Sequence, residues 1–250
     1  MKSIVQGIKN LFAPERATES GAIETKATQP SVPTLMSQVA SMVPGARGPV
    51  SMDGRVKRRD VLALDGSPSM FVARSDGRSG YEVLKSALDA YLAALNQQPE
   101  SVALSALWFG GVSREVMAWT RVNAQMNPSP LVLDEAIGGT DFVSALNGAR
   151  ELVDQVPESL RPTTVVHLYT DGEHNGSGDP VIAATAIKAA GVRLHCLGCA
   201  ERESDVNMAL LREMASAGPD GWPWAEFCGT PDALVRAFEG IANGLMRGTT

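Results

Sequence analysis

Cysteine is scarce in this chain: three in 250 residues, Cys196, Cys199 and Cys228. An odd, low number does not build the paired framework of a small secreted domain. Long apolar runs are missing as well. No stretch of 18 consecutive apolar residues occurs, so no membrane-spanning helix is expected. The opening segment Met1 to Phe12 carries Lys2, but Gln6, Lys9 and Asn10 interrupt its apolar residues, which makes a poor secretory signal. We therefore expect a cytoplasmic protein, and from its general character a bacterial one. Several catalytic signatures are also lacking: there is no G-x-S-x-G elbow, no Walker A loop and no G-x-G-x-x-G. Positive charge is thin outside the first quarter. Residues 1–59 hold nine Lys and Arg against four Asp and Glu, whereas the remainder holds 13 against 24. An acidic body argues against nonspecific nucleic-acid binding and favours attraction of a cation.

What is present begins with a tail. Ile4, Val5, Ile8, Leu11 and Phe12 recur at helical spacing, so residues 1–12 read as either a short amphipathic helix or a frayed end. Residues 13–50 are rich in Ala, Pro, Ser, Thr, Glu and Gly, with no aromatic, and read as a linker. Within it, Thr34 to Val43 has the composition of a docking peptide or of one or two helical turns. Arg55, Lys57, Arg58 and Arg59 form a basic cluster that reads as a solvated flank. The tail is placed at 1–58 and the globular body at 59–250.

The body alternates apolar β-prone runs with helical patterns. Strands are expected at Val61–Leu64, Val102–Phe109, Glu115–Thr120, Thr164–Thr170, Arg193–Leu197 and Ala225–Cys228, the third antiparallel to the second. Helices are expected at Gly80–Asn96, after Thr140 as N-cap, at Pro180–Ala190, Val206–Ala217 and Pro231–Met246. Such alternation predicts an α/β fold, a doubly wound and mostly parallel six-stranded sheet with helices on both faces, preceded by a flexible N-terminal tail. Ligands of such sheets bind beyond the carboxyl ends of the strands.

Three stretches carry chemistry. Asp65, Ser67 and Ser69 follow the first strand as D-x-S-x-S. Thr140 follows the pair Gly138-Gly139. Asp171 lies in Thr170-Asp171-Gly172 at the end of the fourth strand. Hydroxyl and carboxylate oxygens are hard ligands suited to Mg²⁺ or Mn²⁺. Taken alone, the first stretch also reads as an ordinary helix-capping turn. The order and spacing of all three resemble the von Willebrand factor type A domain and its metal-ion-dependent adhesion site, from about Arg59 to about Met246. Pro68 stands where many members have Gly, which stiffens the loop.

The resemblance implies a metal-dependent protein-interaction module rather than an enzyme. Ser67 and Ser69 would bind the cation directly, and Thr140 directly or through water. Asp65 and Asp171 would accept hydrogen bonds from the serines and bound waters. Three neutral hydroxyls do not fill an octahedral shell, so an open position would take an Asp or Glu carboxylate of a partner protein, with the tail as a second contact. The compact GGT and TDG pattern looks like stand-alone bacterial proteins of tellurium-resistance and stress clusters. Two alternatives stand beside this reading. One is an assembly subunit that works through its tail. The other is a metal-dependent hydrolase with Asp65 as nucleophile, although aspartate-nucleophile phosphatases carry a second Asp where this chain has Ser67.

The remaining candidates have plainer readings. His167 reads as a core residue and His174 as an exposed loop residue without a role. His195, Cys196, Cys199 and Cys228 contain zinc-ligand types, but adjacent strand residues face opposite sides of a sheet, so buried cysteines are expected. Trp222 and Trp224 are expected to cover the sheet edge.

Overall fold

The computed structural model describes residues 54–98, 101–123, 126, 129–218 and 220–244. The readings for residues 1–12, 13–50 and 34–43 lie outside the described residues. So do positions 245 and 246 of the expected last helix, which in the structure already ends at Ala242.

Six strands form one sheet: β1 (Arg58–Asp65), β2 (Val102–Phe109), β3 (Ser113–Arg121), β4 (Thr164–Thr170), β5 (Arg193–Gly198) and β6 (Ala225–Phe227). Their order is β3-β2-β1-β4-β5-β6. Only the β2–β3 pair is antiparallel, as its short connection requires. The chain winds outward from β1 in one direction, then returns and winds outward from β4 in the other. The order therefore reverses between β1 and β4, and a crevice opens beyond their carboxyl ends. Asp65 ends β1, and Asp171 follows β4 directly.

Among the described residues five α-helices cover the two faces: α1 (Gly80–Asn96), α2 (Phe142–Asp154), α3 (Pro180–Ala189), α4 (Met208–Met214) and α5 (Pro231–Ala242). Strand alternation splits the core. Val61, Ala63, Val166, Leu168 and Leu194 pack towards α2, α3 and α4. Leu62, Leu64, Leu104, Trp108 and Tyr169 pack towards α1 and α5. Helix α1 starts with a capping box, in which the Ser79 side chain accepts from Glu82 N–H and Glu82 accepts from Ser79 N–H. Helix α3 stops at Gly191, whose φ is +80°.

Three expectations change at element ends. Strand β1 begins at Arg58, three residues before the apolar run, and Arg58 and Arg59 are buried rather than solvated. Their charges are met inside. Arg58 Nε donates to Asp60 Oδ1 at 2.8 Å, its Nη1 donates to Ala242 O at 2.9 Å, and its Nη2 bonds Asp60 Oδ2. Arg59 Nη1 donates to Val56 O and to Thr163 Oγ1. Helix α4 is shorter at both ends than the sequence pattern, because Glu203–Asp205 forms a separate 3₁₀ turn and Ala215 is extended. Of the two tryptophans, Trp224 is buried against His195, whereas Trp222 is exposed.

His167 and His195 are both buried, and their Nδ1 atoms lie 3.1 Å apart. Asp60 Oδ1 is 3.6 Å from His167 Nε2, and Glu226 Oε1 is 3.3 Å from His195 Nε2. A polar row thus crosses four strands within the face that α1 and α5 cover. Cys196 packs on the opposite face, while Cys199 and Cys228 lie on the same face as the row, and all three thiols are free.

Candidate metal centre

The three sequence stretches meet at the β1/β4 crevice. Strand β1 delivers Asp65, which is fully buried. Its Oδ1 accepts from Ser67 N–H at 2.8 Å and its Oδ2 accepts from Thr170 Oγ1 at 2.6 Å. The carboxylate therefore braces the turn and ties it to β4. The chain next makes one 3₁₀ turn, Pro68–Phe71, with Pro68 at its start, where a missing N–H costs nothing. Buried Met70 anchors this turn, leaving Ser67 buried and Ser69 exposed. The two hydroxyl oxygens are 2.9 Å apart, and Ser69 Oγ donates to Asp171 Oδ1 at 2.8 Å.

Thr140 arrives from the other side. The sequence reading made it the N-cap of α2, but that role belongs to Asp141, whose carboxylate accepts from Val143 and Ser144 N–H. The longer reach of Asp to two N–H groups explains the one-residue difference, and it leaves the Thr140 hydroxyl clear of capping. A Cβ placed on Gly172 would lie 3.9 Å from Thr140 Oγ1, so Thr140 adjoins the Thr170-Asp171-Gly172 turn.

Close backbone approach makes this meeting possible. A Cβ at Gly110 would sit 1.6 Å from Ile137 O, and one at Gly111 would sit 2.6 Å from Gly138 O. A Cβ at Gly176 would sit 2.2 Å from Asp141 Cγ. Hydrogen bonds then fasten the loops: Ile137 N–H to Gly66 O, Asp141 N–H to Gly110 O, and Asn175 N–H to Thr140 O.

Electrostatically the site is short of positive charge. Burial, followed by the nearby charge of Asp171, pushes Asp65 up to about 7, against the pull of its hydrogen bonds. Burial also raises Asp171, while Ser69 and Arg74 pull it down. Arg74 Nη2 donates to Cys199 O at 3.1 Å, and Ser75 N–H donates to Glu201 Oε1 at 2.5 Å, which pins the loop after the 3₁₀ turn to the end of β5. Two neighbouring carboxylates that resist ionisation, beside hydroxyl oxygens, fit a hard divalent cation, which would reverse both shifts. Among the described residues no group of three or more His, Cys, Asp and Glu side chains is placed to hold a metal ion, so the hydroxyls are indispensable to such a site.

Some contributors were not visible as such in the sequence. His174 is not a bare loop residue. Its Nδ1 accepts from Phe142 N–H at 3.2 Å, and its ring stacks on Phe142. Thr170 tethers Asp65, and Asn175 and Gly176 hold the loop against Thr140. The glycines were the available signal, since glycine clusters at strand ends mark close backbone approach.

A sequence model of the von Willebrand factor type A domain matches residues 61–222. Among solved structures, a von Willebrand factor type A protein from Catenulispora acidiphila is similar at a TM-score of 0.61 and 18% identity, over 76% of this chain and 43% of that one. Proximal thread matrix protein 1 from the mussel byssus, solved with a zinc-occupied MIDAS motif, gives 0.57 and 18% over 76% and 46%. The open conformation of the pilus adhesin SpaC from Lactobacillus rhamnosus GG gives 0.62 and 14% over 78% and 30%. At such identities the likeness is one of fold, and the chain spans less than half the length of each of these three proteins. No curated protein matches the sequence. Among the described residues no helix is long and apolar enough to cross a membrane. With 162 consecutive residues matched by the family model and the sheet order, helical layers and crevice described above, the chain belongs to the von Willebrand factor type A domain family.

Proposed function

We propose that this domain is a metal-dependent protein-interaction module whose cation is held by Ser67, Ser69 and Thr140, with Asp65 and Asp171 bracing them. The observation that carries this reading is the convergence of three distant stretches on one crevice, with the Ser69 hydroxyl bridging the β1 turn to Asp171. A bound divalent cation would supply concentrated positive charge with a position open to an outside carboxylate. Asp65 orients the Ser67 turn, and Asp171 orients Ser69. Oxygen donors favour Mg²⁺ or Mn²⁺ for this chain, although the mussel byssus protein was solved with zinc at its site. The partner group is an Asp or Glu side chain of another protein, drawn to the positive charge that the cation would concentrate on an acidic body.

Binding fits the residues better than catalysis. The nucleophile required by a hydrolase would be Asp65, but it is fully buried and both of its oxygens already accept hydrogen bonds. In this reading the binding body, placed at 59–250 from the sequence, also takes in buried Val56 and the β1 residue Arg58, and the segment before them is the candidate for a second contact with the same partner. A cytoplasmic bacterial setting of the tellurium-resistance and stress type is consistent with the sequence resemblance and belongs to the same proposal.

Calorimetric titration with Mn²⁺ tests the site. One site is expected for the full chain, and Ser67→Ala combined with Ser69→Ala should abolish it while the cooperative melt persists. Unchanged affinity in the double variant would refute the assignment. Phosphate-ester hydrolysis that needs metal and disappears in Asp65→Asn would favour the hydrolase instead.

A further inference from the structure

Asn175 is exposed, lies four residues beyond Asp171, and belongs to none of the three motif stretches. It nevertheless grips Thr140 from both ends of one peptide unit pair. Thr140 N–H donates to Asn175 Oδ1 at 2.7 Å, and Asn175 N–H donates to Thr140 O at 2.9 Å. Among the described residues Thr140 is otherwise tied through its neighbours, by Asp141 N–H to Gly110 O and by the Gly138–Gly139 contacts. Gly139 takes a φ of +75°, which a side chain would disfavour, and a Cβ there would approach Asn175 Oδ1 to 3.4 Å. The next residue, Gly176, accepts the Asp141 carboxylate where any side chain would collide with it. The loop after β4 is thus built to reach the backbone of Thr140, and Asn175 is the side chain that completes the reach.

We propose that Asn175 is a positioning residue for the metal centre: it fixes the Thr140 backbone so that the Thr140 hydroxyl faces the Ser67–Ser69–Asp171 group. This rests on the metal reading above. Asn175 touches no cation and acts only through Thr140. Residues that orient metal ligands in this way change affinity by about 10–100-fold when removed. Because the side chain is exposed and contributes one side-chain hydrogen bond, its loss leaves folding nearly unaffected.

The test is a double-mutant cycle on the full chain with Mn²⁺ as the probe, comparing wild type, Asn175→Ala, Thr140→Ala and the combination. Asn175→Ala should weaken Mn²⁺ binding about tenfold or more with its melting temperature within a few degrees of wild type. In the Thr140→Ala background the same change should have no further effect, since the residue it positions is gone. Asn175→Asp keeps an acceptor for Thr140 N–H and should bind Mn²⁺ at least as tightly as wild type. A purely structural role would instead weaken binding equally in both backgrounds, and that additivity would overturn the proposal. Wild-type affinity in Asn175→Ala would overturn it while leaving the metal site intact. Absence of Mn²⁺ binding in the wild type itself would overturn the metal reading and this one together.

Discussion

Asp60 and Asp65 stand on the same strand, and both are fully buried, yet their surroundings drive them in opposite directions. Burial raises Asp60, but the Arg58 guanidinium with its hydrogen bonds, and the His167 ring beside it, outweigh burial and hold the carboxyl well below its usual range. Tyr91 OH adds a donor to Asp60 Oδ2 at 2.5 Å. Asp65 receives only a backbone N–H and a threonine hydroxyl, and its nearest charged neighbour is another carboxylate, so it is pushed up to about 7. The middle of the sheet therefore balances its charge internally, while the carboxyl end leaves a deficit. An unbalanced carboxylate is unfavourable for the isolated fold, and it is what gives a site its appetite for a cation.

The largest expected effect comes from breaking the balanced half. Arg58→Met leaves Asp60 charged and buried beside Tyr91 and His167, and breaking such a pair costs about 3–5 kcal/mol. Urea unfolding measures this, and a loss below about 1 kcal/mol would mean that the pair contributes no more than a surface one.

A smaller effect should appear in the pH dependence of the metal-free protein. Between roughly the ordinary value of 3.8 and about 7, Asp65 keeps its proton when folded and loses it when unfolded. The folded state then binds more protons, so stability present at the low end is lost as pH rises through about 7. Asp60 acts in the opposite sense and in another window: its stabilisation is complete above 3.8 and is lost as pH falls towards its depressed value. Read as the difference between wild type and Asp65→Asn, thermal melts in EDTA should therefore fall from pH 4 towards pH 8; buried His167, held down to about 4, acts in the opposite sense in both proteins and cancels in that difference. A wild-type minus Asp65→Asn difference that stays flat across this range would contradict the charge deficit at Asp65.

The smallest stability change should come from Asp65→Asn. The amide retains an acceptor for Ser67 N–H and carries no charge to bury, so in EDTA its stability should stay within about 1 kcal/mol of wild type at pH 4, where Asp65 is protonated, and exceed it at pH 8. Its Mn²⁺ affinity should nevertheless fall at least tenfold. Destabilisation comparable to Arg58→Met would place both carboxylates in the same structural class and dissolve the contrast.

Much of the frame could be read from residues alone. Val102–Phe109 and Thr164–Thr170 are continuous apolar-rich runs, and the structure bounds both strands as the runs do. Gly80–Asn96 is bounded by a cap and a periodic stripe. The motif stretches were legible because each sits at the end of an apolar strand or after a glycine pair. Two of the failures share one cause, a polar group whose partner is distant in sequence. Arg58 and Arg59 looked solvated because Ala242 and Thr163, which they bond, lie far along the chain. His174 looked idle because its partner, Phe142 N–H, is 32 residues earlier. Thr140 and Asp141 are adjacent capping residues, and only the folded loop shows which one caps.

The close approach at Gly110, Gly111 and Gly176 also bears on how such a sequence can change over generations. Each of these positions meets a neighbouring backbone or carboxylate at under 3 Å from where a side chain would begin, so a single substitution displaces a loop rather than trimming a contact. The hydroxyls of the proposed site admit gentler exchanges, Ser67→Thr or Thr140→Ser among them, that retain the oxygen and require no backbone shift of this size. Drift can therefore retune affinity in small steps through the side chains, while the backbone frame admits only retention or wholesale rebuilding.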